Sequence, residues 1–352
     1  MRLEFINRVR PGEILAKSIL TSDGKVLLNN GVKLTEVYIS KLKELNIYYL
    51  YIEDDRLDDI EGEDSILNEL KIEAVKNISN IYKRLSLHGP VDIKETYKSM
   101  ENLIDYIMSI DSISTNLMAI KTHDNYTYLH SVDTGILSGF LGKNLGMSKE
   151  DLVKLGMAAV LHDVGKIKIK SSILNKRTPL TSSEAGELKK HPEYGEEVLR
   201  SYSTIPSEVI TGIKQHHERV DGNGYPRGLK KNAISKIAKI ISICDVYDAV
   251  SRDRSYRKKF NPSDAYELIL AGSGSIFDEK IVSAFKRTFS VYPLGTCLRL
   301  SNEVEGYVVR QNKNFPDRPV VRVLYNSKTK EPISFYEIDL LEHTDLVVMD
   351  IV

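Results

Sequence analysis

From about residue 65 to 290 the apolar residues return every three to four positions. The pattern runs through ILNELKIEAVKNISNIYKRL and YKSMENLIDYIMSI, then through segments around 128–142, 149–161, 182–202, 206–217, 233–251 and 278–289. That period belongs to helices with one buried face, so the middle of the chain is committed to an all-α domain of helix packed on helix. Two stretches rich in turn formers interrupt it, KSSILNKRTPLT at 170–181 and ERVDGNGYPRGLK at 218–230. Loops held on a rigid helical frame are good places for ligand contacts.

The flanks follow a different rule. Residues 1–53 alternate short β-branched runs with the turn signals SDGK and NNG, then give a helix in TEVYISKLKELN and a strand in IYYLYI, which reads as a small α+β module. DDRLDDIEGED at 54–64 holds seven acidic residues and reads as a solvated linker into connecting helices that run to about 118. After Pro293 the runs TCLRL, EGYVVR, PVVRVLY and DLVVMDIV make a β-rich terminal domain. The expected chain is multidomain and mainly α: an N-terminal module at 1–53, linker and connecting helices at 54–118, a helical domain at 119–292 and a β-rich domain at 293–352.

Charge removes some partners. Lys plus Arg and Asp plus Glu both number 49, for a net charge of zero, so no overall field draws the chain to a DNA or RNA polymer or to an anionic membrane. An anionic ligand must be held by local charge. The two cysteines, Cys244 and Cys297, are too few for a disulfide framework. MRLEFINRVRPGEILAKSIL interrupts its apolar runs with charges, and nowhere do about 18 apolar residues follow one another, so no membrane insertion and a soluble, cytoplasmic protein are expected.

Five of the eight histidines, His130, His162, His191, His216 and His217, fall within 88 residues of the helical domain. Taken singly each would be a packed or surface residue, and His88, His123 and His343 remain so. Adjacency separates the five from these. His162 and Asp163 close an apolar run where an uncompensated aspartate would be costly to bury, and a divalent cation would hold both groups in their binding forms. His216 and His217 end VITGIKQHH in the same way, and Asp245 follows the apolar IAKIISIC. Imidazole with carboxylate suits Mn, Fe, Co, Ni or Zn better than the oxygen-seeking Ca or Mg. One ion cannot use all these donors, whereas two ions bridged by a carboxylate can. Such a pair acidifies a shared water and clamps phosphoryl oxygens, so the expected reaction is phosphoester hydrolysis by a metal-bridging hydroxide.

His130, HDVGK at 162–166, HPEYG at 191–195, HHERVDGNGYP at 216–226 and DVYDAVSRDRSYRK at 245–258 together resemble the HD-GYP domain family, over roughly residues 120–290. The resemblance implies an HD-type helical fold and a phosphodiesterase that opens cyclic di-GMP to linear pGpG, in some members continuing to GMP. It implies two divalent ions, Fe or Mn first, with Ni, Co, Zn or Mg as substitutes. One ion would take His130, His162, Asp163 and Asp245, the other His191, His216 and His217, with Asp163 bridging.

Asp163 and Lys166 are the expected catalytic pair. Lys166 lies four residues after His162 and shares its helical face if the helix continues, which brings its ammonium to a bound phosphate. Tyr225, in a loop of glycines and a proline, can stack or donate a hydrogen bond. Arg252, Arg254, Arg257, Lys258 and Lys259 supply positive charge close to Asp245, with Arg254 and Arg257 matching the family's phosphate contacts. Cys244 reads as a small core residue. Some family members place a glutamate four residues before the first ligand, where it anchors a third metal; here the residue is Tyr126. A phenol is a poor carboxylate substitute at neutral pH, so two ions are expected, with slow onward hydrolysis of pGpG. The alternatives are a non-catalytic cyclic di-GMP receptor using the same pocket, or a phosphohydrolase of another nucleotide. The helices at 65–116 could pair two chains as a homodimer.

Overall fold

A computed structural model describes residues 1–21, 26–45, 47, 49–59, 64–87, 92–110, 127–176, 178–251, 262–312, 315–329 and 331–352. At its centre lie α4 (Thr127–Asn144) and α5 (Lys149–Leu161). Ser148 opens α5 by accepting a hydrogen bond from the Asp151 amide, and every residue from Leu155 to Leu161 is buried. A helix apolar all round must be enclosed by others. Its approach to α4 is close: a Cβ on Gly135 would stand 2.8 Å from Val160 Cγ1.

Around this pair pack α2 (Ser65–Ser86), α3 (Lys94–Ser109), α6 (Ser171–Leu174), α7 (Ser182–Leu188), α8 (His191–Leu199), α9 (Ser207–Gln215), α10 (Lys236–Ser251), α11 (Pro262–Ala271) and α12 (Glu279–Thr288). One continuous apolar core joins Ile78 and Tyr82 of α2 and Leu103 and Ile107 of α3 to Phe140, Leu155, Ile213, Ile241 and Phe285. The apolar stripes of α2 and α3 are thus satisfied within the chain. Lys71 of α2 also forms a buried ion pair with Asp133 of α4, 2.5 Å apart, one turn from His130.

The helix expected at 182–202 is two helices. α7 ends at Leu188 and α8 begins at His191 with Pro192 in its first turn, a position proline tolerates because the first helical amides have no intrahelical partner.

The N-terminal residues form β1 (Arg2–Phe5), β2 (Ile19–Leu20), β3 (Val26–Leu28), α1 (Glu36–Glu44) and β4 (Tyr49–Ile52), with β1 paired to β4 and β2 to β3, both antiparallel. At the other end β5 (Cys297–Leu300), β6 (Val304–Asn312), β7 (Phe315–Asn326), β8 (Pro332–Asp339) and β9 (Val348–Ile351) make one antiparallel sheet in the order β8-β7-β6-β5-β9. The two ends of the chain meet. The Leu3 amide donates to Gly295 O at 2.7 Å, and Leu57 is buried with Cys297, Tyr307 and Leu324.

The acidic stretch is correspondingly less solvated than its composition suggests. Asp54 is buried and pairs with Arg56 at 2.7 Å and Arg2 at 3.2 Å. Asp59 takes both Arg322 guanidinium nitrogens at 2.6 Å, and Asp64 caps α2 while accepting from the Tyr106 hydroxyl at 2.7 Å. Among the described residues no helix is long and apolar enough to cross a membrane.

Candidate metal centre

Helix ends converge on one point. His162 caps the C-terminus of α5, His216 caps that of α9 with His217 following, His191 begins α8, and His130 and Asp245 project from α4 and α10. Three of the rings are oriented in the same way. Nδ1 of His162 donates to Ala159 O at 2.7 Å, Nδ1 of His191 to Leu188 O at 2.8 Å, and Nδ1 of His216 to Ile213 O at 2.6 Å. These are carbonyls three residues back, in terminal turns where intrahelical partners run out. Committing Nδ1–H outward leaves each Nε2 lone pair facing the centre.

The donor atoms form overlapping groups within 4.8 Å: His191, His216 and His217; His130, His162 and Asp245; and His162, Asp163 and His216. Asp163 stands between them. Its Oδ2 is 3.5 Å from His162 Nε2 and its Oδ1 is 3.4 Å from His191 Nε2, so one carboxylate offers an oxygen to each set. His162, Asp163, His191 and His216 are all buried, and a nitrogen-rich donor set with carboxylates in a dry place fits divalent transition ions.

The electrostatics agree with that fit. Burial opposes ionisation of Asp163, but the Lys166 ammonium and the His162 and His191 rings outweigh it and hold the carboxyl well below the usual range. Burial lowers His191, lowers His216 strongly and brings His217 down to about 4, so all three are neutral lone-pair donors at pH 7. His130 differs: burial would lower it, yet its bonds to Asp245 and Asp248 push it up to about 10. A divalent ion that takes this donor set displaces that proton.

The sequence placed Lys166 on a continued helix with His162. Instead α5 stops at Leu161, and Lys166 sits in a 3-10 turn, Val164–Lys168, from which its Nζ reaches Asp163 Oδ2 at 2.5 Å. Tyr225 lies on the His217 ring, centroids 4.7 Å apart at 28°, and its amide donates to His217 O at 3.1 Å. Gly224 permits this return, since a Cβ there would stand 2.4 Å from Arg219 N. Arg252, Arg254, Arg257, Lys258, Lys259, Tyr126, His88 and His123 lie outside the described residues. Cys244 is buried, as expected of a core residue, and burial pushes its thiol up to about 12.

Two residues escaped the sequence reading. Buried Glu218 accepts from the Arg227 amide at 2.7 Å and the Leu229 amide at 2.8 Å, closing the loop that carries Tyr225; its place directly after the paired histidines was the available signal. Buried Asp248 accepts a hydrogen bond from the Nδ1–H of His130 at 2.6 Å, while Nε2 faces Asp245 Oδ1 at 3.0 Å. Asp248 follows Asp245 by three residues, one helical turn. Replacing Asp248 by alanine is expected to weaken metal retention by about 10–100-fold, read by chelator competition; retention equal to wild type would show that packing alone orients His130.

Residues 114–281 match the family described as the HD domain, and residues 297–352 match a KOW domain associated with the HD domain. Over 225 residues the chain is 36% identical to a cyclic di-GMP phosphodiesterase of Pseudomonas aeruginosa, an alignment covering 64% of this chain and 54% of that one. Over 169 residues it is 31% identical to a 3'3'-cGAMP-specific phosphodiesterase of Vibrio cholerae, covering 48% and 36%. The chain spans about half the length of the first of these relatives. A solved HDG"Y"P protein from Bdellovibrio bacteriovorus shares the fold, with a TM-score of 0.53, 18% identity, and coverage of 80% of this chain and 97% of that one. The helical centre of this chain is an HD domain.

Proposed function

We propose that this HD-domain chain is a metal-dependent phosphodiesterase that hydrolyses cyclic di-GMP to linear pGpG. The observation that carries the reading is the buried carboxylate of Asp163 turned toward two histidine groups at once. His130, His162, Asp163 and Asp245 would hold one divalent ion, Fe or Mn first, and His191, His216 and His217 the other, with Asp163 shared. Bound there, the pair supplies an acidified water and positive charge for the phosphate oxygens.

The remaining work falls to the chain. Asp163 fixes the spacing of the two donor sets. The Lys166 ammonium, whose affinity for its proton is kept up by Asp163 against the effect of burial, stays charged and donates to a non-bridging oxygen of the scissile phosphate. Tyr225, stacked on His217, gives a nucleobase or ribose an aromatic wall. Seven donors and Lys166 in one cluster favour turnover over a receptor that only binds.

The test is anaerobic purification with metal analysis and product chromatography on one sample. We expect close to two ions per chain, turnover of cyclic di-GMP that chelation abolishes, and accumulation of pGpG, because Tyr126 stands where some members carry a metal-anchoring glutamate. Three tightly bound ions, or GMP as the only early product, would overturn the two-ion reading. The 31% identity to a 3'3'-cGAMP-specific enzyme makes the other cyclic dinucleotide the second reading. Faster turnover of 3'3'-cGAMP than of cyclic di-GMP would favour it.

A further inference from the structure

Lys189 sits at the C-cap of α7, two residues before His191. Its side chain is exposed, and its Nζ lies 5.6 Å from the centre of the Tyr225 ring. Since Tyr225 stacks on His217, this ammonium stands one aromatic ring away from the three-histidine group.

Four lysines of the flanking segments are tied to carboxylates: Lys166 to Asp163 at 2.5 Å, Lys168 to Glu197 at 2.7 Å, Lys176 to Glu184 at 2.6 Å and Lys190 to Glu187 at 2.8 Å; exposed Lys170 is not among them. Lys190 finds its partner three residues back, whereas three and four residues back from Lys189 stand Gly186 and Ala185, and Glu193, four residues on, lies across the break between α7 and α8. Among the described residues no carboxylate lies within ion-pair distance of Lys189. A ring face holds an ammonium only weakly and leaves its charge uncompensated.

We propose that Lys189 is a substrate contact that receives the second phosphate of a cyclic dinucleotide while the first lies at the donor cluster. The proposal rests on the phosphodiesterase reading above. A cyclic dinucleotide carries two singly charged diesters on one macrocycle, and only one of them can be in the scissile position. In a chain of zero net charge the other needs local cations; Arg254 and Arg257 lie outside the described residues, Lys166 serves the scissile phosphate, and among the described residues Lys189 is the ammonium that stands over Tyr225 with no carboxylate in ion-pair distance. The Lys189 contact is distant from the bond that breaks, so it stabilises bound substrate and transition state alike and acts on KM rather than kcat.

Lys189→Ala and Lys189→Arg are compared with wild type on cyclic di-GMP, which has two phosphates, and on bis(p-nitrophenyl) phosphate, which has one, all loaded with manganese. Lys189→Ala is expected to raise KM for cyclic di-GMP roughly tenfold, the loss of one charge-assisted contact, with kcat within about twofold. Its manganese content and its kcat/KM on bis(p-nitrophenyl) phosphate should match wild type, and Lys189→Arg should restore most of the affinity. An unchanged KM for cyclic di-GMP in Lys189→Ala overturns the proposal. So does a parallel fall on both substrates, which would make Lys189 a support for Tyr225. A wild-type protein that cleaves bis(p-nitrophenyl) phosphate but not cyclic di-GMP overturns the substrate reading itself, and this proposal with it.

Discussion

Asp163→Ala is expected to lower turnover by about 10³-fold or more and to reduce the bound metal below two ions per chain. The size follows from position. Among the described residues Asp163 is the one carboxylate in contact distance of both His162 and His191, so its loss removes a donor from each set together with the charge that anchors Lys166. Inside a buried cluster no water-exposed acid can move in to replace it, and the Lys166 ammonium is left beside neutral imidazoles. Metal analysis and initial rates on the same preparation check this. Asp163→Asn keeps the shape and one acceptor oxygen, so it should retain more metal than alanine while still losing most of the rate. Near-normal turnover in either variant would remove Asp163 from the mechanism.

Gly165→Ala should be almost as damaging, through structure alone. Gly165 lies in the 3-10 turn between Asp163 and Lys166 and presses on the start of α8: a Cβ would stand 2.0 Å from His191 O and 2.4 Å from Gly195 N. Those are backbone atoms, so no side-chain rotation relieves the clash. Either the turn carrying Asp163 or the helix carrying His191 must move, which parts the two donor sets. We expect a stability loss of about 3 kcal/mol, equivalent to a melting temperature roughly 6–12 °C lower, with metal content falling in parallel. Gly186→Ala is the control: a Cβ there meets nothing within 4 Å, and alanine is the better helix former. A Gly165→Ala protein that melts like wild type would show that the close approach relaxes at little cost.

The clustered histidines and aspartates were legible because metal chemistry restricts residue types and because adjacent pairs such as His162-Asp163 and His216-His217 end apolar helices, a local pattern. Pro192 was equally local: it marks the start of α8, yet the periodicity on either side hid the break and the segment read as one helix. Lys166 was placed correctly near the site for a reason that did not hold, since the helix stops and a tighter turn delivers the ammonium to Asp163 by another route. Asp248 and Glu218 were in view but had no visible task, because what each carboxylate accepts is a group brought from elsewhere: the His130 ring from α4 for one, loop amides for the other.

The longest-range features left no trace in sequence. The acidic stretch reads as solvated by composition alone, and only the folded chain brings Arg322 to Asp59 and buries Leu57 among Cys297, Tyr307 and Leu324. By itself the sequence determined the helical centre, the β-rich tail and which histidines and aspartates cluster, since periodicity and side-chain chemistry are written residue by residue. Tertiary structure alone decided that Asp163 turns one oxygen to each histidine group, that Asp248 sets the His130 ring, and that Lys189 stands unpaired by any described carboxylate over Tyr225. Those relations are distances between helix ends, and distances between helix ends are set by how side chains fill the space between helices, a property of the packed whole that no single segment carries.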